Sequence, residues 1–360
     1  MKSVKKKIIP IFVPHQGCPH DCIFCNQKKI TGVSTDVTEE TVESVINECL
    51  EYIDRDASIE IAFFGGSFTA IDIDIQRKLL SVAKKYIDSG DVDYIRLSTR
   101  PDCIDEEILA MLKEYGVRII ELGVQSLDEK VLVDSVRGHG VDVVYKSAEM
   151  IRNAGFELGL QMMVGLPSDT EEKCIATAKA FIGMKPSCVR IYPTLVVEDT
   201  GLEKELNEGS YTPFSLEESR NIVKKLLVLY KLNEINVIRV GLQATDDIQI
   251  GEGVVDGPYH PAFRELVESD MIRDYLEYFY MERHKIEVKI EVGVNRKNVS
   301  KIIGNRKANV KYFADKYNIK LMVHEMDMEL DDIKLSFDDL FSQVITLEEI
   351  YKALFNIYKL

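Results

Sequence analysis

The chain has 360 residues, of which 46% are hydrophobic and 29% charged, and a net charge of −15. Such a balance belongs to an ordinary globular protein long enough for one large core and a smaller accessory unit. It excludes a membrane span, because no apolar run nears the ~20 residues a bilayer requires, and a surface coated throughout with nucleic acid, which needs dense Lys and Arg; one basic patch on an acidic body stays compatible with it.

The N-terminus is basic and then apolar, from Met1 to Val13, which superficially resembles a secretion signal. Pro10 and Pro14 interrupt the apolar stretch and no small-residue cleavage site follows, so a first strand entered from a basic tail is expected. The compartment expected is the reducing cytoplasm, and seven cysteines there do not form a disulfide framework. Cys49, Cys103, Cys174 and Cys188 lie in apolar or helical contexts and read as small buried hydrophobes.

Short apolar runs then alternate with amphipathic segments. Strands are predicted at Lys7–Pro14, Ile59–Phe64, Tyr94–Thr99, Arg118–Val124, Glu157–Val164, Cys188–Leu195 and Val237–Gln243. Helices are predicted at Thr38–Ile53, Ile73–Ile87, Asp105–Tyr115, Val141–Asn153, Asp169–Ile182 and Ser215–Asn233, where apolar residues recur at helical spacing. Ser168 with Glu171, and Ser215 with Glu218, read as capping boxes, and Gly116 and Gly155 as left-handed helix ends. This rhythm implies a parallel sheet. Runs such as Ile61-Ala62-Phe63-Phe64 look apolar on both faces, as in a sheet covered by helices. Chemistry in such folds gathers beyond the C-terminal strand ends, where the distinctive motifs fall: His15–Cys25, Gly65–Thr69, Arg100–Asp102, Gln125–Ser126 and Gly165–Pro167.

The first of these reads Gly17-Cys18-Pro19-His20-Asp21-Cys22-Ile23-Phe24-Cys25. Three thiolates at this spacing can converge on one metal. Four cysteines usually hold a four-iron cluster, so Cys18, Cys22 and Cys25 would leave one iron open to a cosubstrate. Phe24 is placed to shield it from water. Zinc is the rival, since His15 or His20 could complete a tetrahedral site. Gly65-Gly66-Ser67 offers exposed backbone for a small charged amino-acid moiety.

Taken together the motifs resemble the radical S-adenosylmethionine (SAM) superfamily, and more closely the radical SAM domain of the Elongator catalytic subunit family. The resemblance covers residues 8–245. It rests on Gly17–Asn26, Gly65–Thr69, Thr99–Asp102, Leu122–Ser126, Arg137-Gly138-His139, Gln161–Pro167 and Ile191–Val196. The oxygen-independent coproporphyrinogen oxidases share some of these elements, without a match to their C-terminal domain. The resemblance implies a partial (β/α)6-type barrel, and it favours the cluster over zinc. It implies a 4Fe–4S cluster on Cys18, Cys22 and Cys25, with SAM chelating the open iron. Phe24, Gly65, Gly66, Ser67 and Ser98 would lie at SAM, Gln125 and Arg137 near its carboxylate or ribose, and Gln161 and Met163 near its adenosine. Reductive cleavage would then give a 5′-deoxyadenosyl radical that takes hydrogen from a substrate, the electron coming from a flavodoxin or ferredoxin type of donor. The cysteine spacing is shorter than in Elongator proteins, related enzymes often carry Glu where Ser98 stands, and the chain ends at Leu360 without room for their acetyltransferase domain.

A boundary is expected near residues 246–285, where Gly251, Gly253, Gly257, Pro258 and Pro261 mark a loop before a charged helix. Residues 286–360 then read as a small α+β unit whose Ile302–Lys311 stretch resembles a KH core, with Gly304-Asn305-Arg306-Lys307 in place of its backbone-clamping loop. Arg296, Lys297, Lys301, Arg306, Lys307 and Lys311 fall in a stretch without an acidic residue, a footprint for phosphate that a solvated helical face would match equally. The expectation is a cytoplasmic radical SAM enzyme acting on RNA, tRNA above all. The alternatives are a small-molecule or porphyrin-like substrate, which the acidity favours, and a non-catalytic, zinc-stabilised RNA-binding protein.

Overall fold

The computed structural model describes residues 6–13, 22–26, 37–54, 56–242, 249–251, 253–282, 289–338 and 341–360. Its first two thirds pair β1 (Lys6–Val13), α1 (Glu39–Tyr52), β2 (Ser58–Gly65), α2 (Ile73–Asp88), β3 (Tyr94–Thr99), α3 (Glu106–Glu114) and β4 (Val117–Gln125). There follow α4 (Glu129–Asp134), α5 (Val141–Asn153), β5 (Glu157–Val164), α6 (Glu171–Met184), β6 (Cys188–Pro193), β7 (Val196–Val197), α7 (Gly201–Glu208), α8 (Leu216–Leu232) and β8 (Asn236–Val240). Strands β1 to β6 and β8 form one seven-stranded sheet in sequence order, every neighbouring pair parallel. The sheet curls into a partial barrel.

The run Ile61–Phe64 is apolar on both faces, as expected, but at other positions the two faces of the sheet differ. Ile61, Phe63, Ile95, Leu97, Ile120, Leu122, Leu160 and Ile191 are buried in the main hydrophobic core. The alternate positions Glu60, Arg96, Glu121 and Arg190 are also buried, yet charged. A period of two puts them on the opposite face, the lumen, where they need one another because an unpaired buried charge is costly.

Helix ends follow the sequence with one correction. Ser215 accepts the Glu218 amide while the Glu218 carboxylate accepts the Ser215 amide, 2.8 Å. Ser215→Ala should therefore cost about 1 kcal/mol, read as a lower denaturation midpoint. Ser168 is not a cap. Helix α6 starts two residues later on Thr170, whose hydroxyl accepts the Lys173 amide, because Asp169 is occupied accepting from Gly165 N–H at 2.9 Å and Ser168 takes a positive φ of 61°. Gly116 and Gly155 do end helices, at φ of 81° and 88°.

Beyond β8 lie β9 (Gln249–Ile250), β10 (Gly253–Asp256) and the long α9 (Phe263–Glu282), then β11 (Lys289–Val294), α10 (Val299–Ile303), α11 (Ala308–Tyr317), β12 (Lys320–Glu325), β13 (Asp332–Phe337), β14 (Phe341–Thr346) and α12 (Leu347–Tyr358). Strands β7, β10 and β9 make a small sheet. The C-terminal sheet has the order β12-β11-β13-β14, with β11 and β12 parallel and the rest antiparallel.

Helix α9 joins the two parts through ions. Arg220 on α8 donates to Asp270 (2.7 Å) and Lys224 to Asp274 (2.6 Å). Asp274 also accepts from Tyr358 of α12, 2.7 Å. Asp270 and Lys224 are buried, Arg220 and Asp274 half-buried, and the compensated pairs tie α9 and α12 to α8. Among the described residues no helix is long and apolar enough to cross a membrane.

Candidate functional site

The described part of the cysteine segment is residues 22–26; Cys18 lies outside the described residues. The segment is tethered on both sides. Ile23 N–H donates to Ser135 O (3.2 Å), its carbonyl accepts from Leu202 N–H (2.8 Å), and Cys25 N–H closes a turn onto Cys22 O (2.9 Å). Asn26 donates to Glu198 O at 2.9 Å. Phe24 and Ile23 pack on the apolar cluster of Val196, Leu202 and Tyr211. A Cβ on Gly201 would come within 2.8 Å of the Ile23 side chain, so only glycine allows this approach. Gly201→Val should displace the segment and lower the iron bound per chain after reconstitution, measured by metal analysis, while the far-ultraviolet spectrum stays native.

Cys22 is buried, and two guanidinium groups point at its sulfur: Arg137 Nη1 at 3.0 Å and Arg100 Nη1 at 3.6 Å. Arg100 is oriented by a two-point pair with Asp102 (2.9 Å each) and donates to Arg137 O. Arg137 also donates to Gly123 O and lies 3.5 Å from His139 Nε2. Burial and the adjacent Arg137 charge hold His139 below the usual imidazole range, so it stands as a neutral partner at pH 7. The Arg137-Gly138-His139 motif thus reaches the cysteine sulfur.

The ends of β1, β2 and β3 are sewn together beside it. Gly66 N–H donates to Val13 O (3.0 Å), and Gly65 turns with φ of 103°. Ser67 Oγ accepts from Arg100 N–H (3.0 Å) and meets Thr99 Oγ1 (2.8 Å). The Ser67 hydroxyl is therefore spent on the scaffold. At the end of β4, Gln125 takes a positive φ of 73°, where the β4–β5 register shifts. Strain of this kind in a non-glycine residue persists only where the surroundings enforce it, commonly at functional sites. Gln125 Oε1 and Arg137 Nε are both buried with no hydrogen-bond partner among the described residues.

Deeper in the lumen a polar ladder spans the strands. Arg96 joins Glu60 (3.1 Å) to Glu121 (2.9 Å), and Arg190 grips Glu121 from the other side at 2.5 and 3.0 Å. Gln161 donates to Ser98 Oγ (3.1 Å) and Glu121 (3.2 Å), so residues 63 and 40 positions away in the chain meet it. The Arg190 guanidinium lies 4.7 Å over the Phe64 ring, a cation–π contact. Burial would raise the Glu121 carboxyl, but Arg190 and Arg96 outweigh it and hold it low. Above this floor Ser98, Gln161, Met163 and Tyr192 are half-buried at the open side. Cys188, expected as a plain hydrophobe, is buried in the lumen 3.9 Å from Arg96. After β5, Gly165 turns with φ of 89° under Phe214, and its carbonyl accepts from Tyr211 OH at 2.6 Å.

The basic residues of the C-terminal unit lie apart from the cysteine segment. Arg296, Lys297, Arg306, Lys307 and Lys311 are exposed, Gly304 is buried, and Lys301 is paired with Glu268 at 2.7 Å.

Two family models match the chain in tandem: the radical SAM superfamily over residues 12–181 and the radical SAM C-terminal domain over residues 186–273. The chain belongs to the radical SAM superfamily. This superfamily member is accordingly an enzyme whose cofactors are a 4Fe–4S cluster and SAM. It is 27% identical over 325 residues to the tRNA uridine(34) acetyltransferase of Methanocaldococcus jannaschii, an alignment spanning 78% of this chain and 57% of that protein. It is 33% identical over 138 residues to Elongator complex protein 3 of Homo sapiens, 38% of this chain and 25% of that one. Among solved structures, an N-terminally truncated Elp3 of Methanocaldococcus infernus superposes with a TM-score of 0.56 at 19% identity, covering 94% of this chain and 76% of that one. That likeness concerns the fold.

Proposed function

We propose that this radical SAM enzyme acts on RNA, with tRNA the first substrate to test, in the cytoplasm and with a flavodoxin or ferredoxin type of electron donor. The observation that carries the RNA reading is the alignment over 78% of the chain with a relative named for tRNA. The basic C-terminal unit supports it, since phosphate contacts call for local rather than overall positive charge.

Cys18, Cys22 and Cys25 would hold the cluster. The donor set fits: a buried sulfur facing two guanidiniums suits an anionic iron–sulfur centre. The unpaired Gln125 Oε1 and Arg137 Nε suit a zwitterionic amino-acid moiety, one accepting from its ammonium and the other donating to its carboxylate. Gly65 and Gly66 present backbone at the same rim, Ser67 braces it, and Ser98, Gln161 and Met163 line the wall on which an adenosine would rest. When bound, the cluster and SAM supply a 5′-deoxyadenosyl radical that removes hydrogen from the substrate. The chain's own part is to orient, through the strand ends, and to keep water out, through Phe24 and the Val196, Leu202 and Tyr211 side chains it packs on.

Adding bulk tRNA to the reconstituted enzyme with SAM and reductant should raise 5′-deoxyadenosine formation above the RNA-free rate. Stimulation by a small-molecule extract, with none by RNA, would overturn the RNA reading.

A further inference from the structure

We infer that the turn Gly304–Lys307, together with Lys311, is a phosphate site that holds a single RNA strand at the mouth of the barrel. This rests on the proposal that RNA is the substrate and names where its backbone is gripped.

The turn is strained and enforced. Arg306 (φ 52°, ψ 32°) and Lys307 (φ 62°, ψ 33°) are successive left-handed residues, at a cost of about 1–2 kcal/mol each for side chains with a Cβ. Glycine would remove that cost, yet the two positions carry cations. The surroundings hold the conformation. Lys307 N–H donates to Gly304 O at 3.0 Å. The buried Asn309 amide donates to Ile302 O (3.0 Å) and to Ser269 of α9 (3.0 and 3.1 Å). A Cβ on Gly304 would meet Ser269 Oγ at 3.0 Å, so the turn is pressed directly on α9. Strain maintained by buried contacts, with charged side chains turned to water, marks a surface built for a ligand.

Charge narrows the site. Of the six cations read from the sequence, Lys301 is neutralised by Glu268. Arg296 and Lys297 adjoin the acidic loop 325–332, to which Asn295 and Asn298 bond at Met328 O (2.9 Å) and Leu330 O (2.6 Å); that loop carries Glu325, Asp327, Glu329, Asp331 and Asp332. Arg306, Lys307 and Lys311 are exposed and form no ion pair among the described residues. Lys307 stands at the N-terminal cap of α11 and Lys311 lies in its first turn.

Position gives the function. Asn305 lies 3.5 Å from His260 Nε2. His260 and Tyr259 line a small cavity with Pro193 and Leu195 at the end of β6 and Gly241 and Leu242 just after β8. His260 thus touches both the turn and the cavity at the ends of β6 and β8, and the α8–α9 ion pairs brace that arrangement. A duplex cannot deliver a buried base to a lumen, so the strand held here is unpaired or flipped.

The test uses reconstituted holoenzyme, with binding to bulk tRNA and to a single-stranded oligoribonucleotide measured across potassium chloride. Arg306→Glu/Lys307→Glu should weaken both by about tenfold or more and flatten the salt slope by roughly one to two. Arg306→Gly/Lys307→Gly relieves the strain, so it should fold at least as stably and still lose affinity. Arg296→Glu/Lys297→Glu should bind within about twofold of wild type. Equal losses in the two glutamate pairs would mean a diffuse field rather than a site and would overturn the inference. So would equally strong competition by polyglutamate. If tRNA stimulates 5′-deoxyadenosine formation but both Arg306/Lys307 pairs bind as wild type, the site fails while the RNA reading stands. If wild type binds no RNA, both fall.

Discussion

Replacing Cys22 by alanine is expected to abolish the iron–sulfur absorption of the reconstituted protein and to reduce 5′-deoxyadenosine formation to the level of free reductant. The sulfur is buried, and the backbone that presents it is bonded on both sides to Ser135 and Leu202, so neither movement of a neighbour nor solvent can replace it. Alanine also leaves Arg137 and Arg100 facing an apolar methyl group instead of an anionic sulfur. Arg137→Met offers the graded companion. It keeps the thiolates but removes the 3.0 Å donor, and hydrogen bonds to cluster sulfurs raise the reduction potential. The cluster of this variant should form, and its potential should fall by a few tens of millivolts in a spectroscopic titration; an unchanged potential would show that the contact does not persist with the cluster bound.

The largest effect on stability is expected at Glu121. It is fully buried and accepts from both Arg96 and Arg190. Glu121→Leu leaves Arg190 without its counter-charge, and breaking a buried pair from one side costs about 3–5 kcal/mol, a large share of the total stability of a folded domain. The urea midpoint should drop accordingly. Glu121→Leu/Arg190→Leu should recover part of the loss, because two apolar groups replace two charges. The sign with pH follows from the depressed carboxyl. Its contribution is complete above the ordinary value of 4.5 and fades as pH falls through the lower folded value. Wild type should therefore lose stability faster than Glu121→Leu below about pH 4.5. Parallel acid curves would contradict this assignment.

The parallel sheet and the motif positions were legible because strand length, helix period and glycine ends are local properties. The seven barrel strands were all anticipated, with ends shifted by a few residues. Short α4 and the two-residue strands β7 and β9 were not, since so few residues carry no period. The Thr170 cap was missed because the competing demand on Asp169 comes from Gly165, across a turn whose shape the sequence does not announce. The lumen ladder was hidden for a different reason. Glu60, Arg96, Glu121 and Arg190 are separated by 25 to 69 residues and meet only when the sheet curls. A signal did exist: Glu60, Arg96 and Arg190 are each the single charge of their strand and Glu121 sits between Ile120 and Leu122, an arrangement tolerated only with a partner on a nearby strand. The narrowing of the basic stripe to Arg306, Lys307 and Lys311 likewise depended on Glu268 and the 325–332 loop, distant in sequence and adjacent in space.

The central claim is that Cys22 and Cys25, with Cys18, hold a cluster whose open iron faces a SAM pocket at the strand ends. Electron paramagnetic resonance of the anaerobically reconstituted, reduced protein, recorded with and without SAM, tests it most directly. A reduced 4Fe–4S signal that changes shape on SAM addition, and that is absent from Cys22→Ala, is the result expected. A colourless protein carrying one zinc, or a cluster signal indifferent to SAM, would contradict the account.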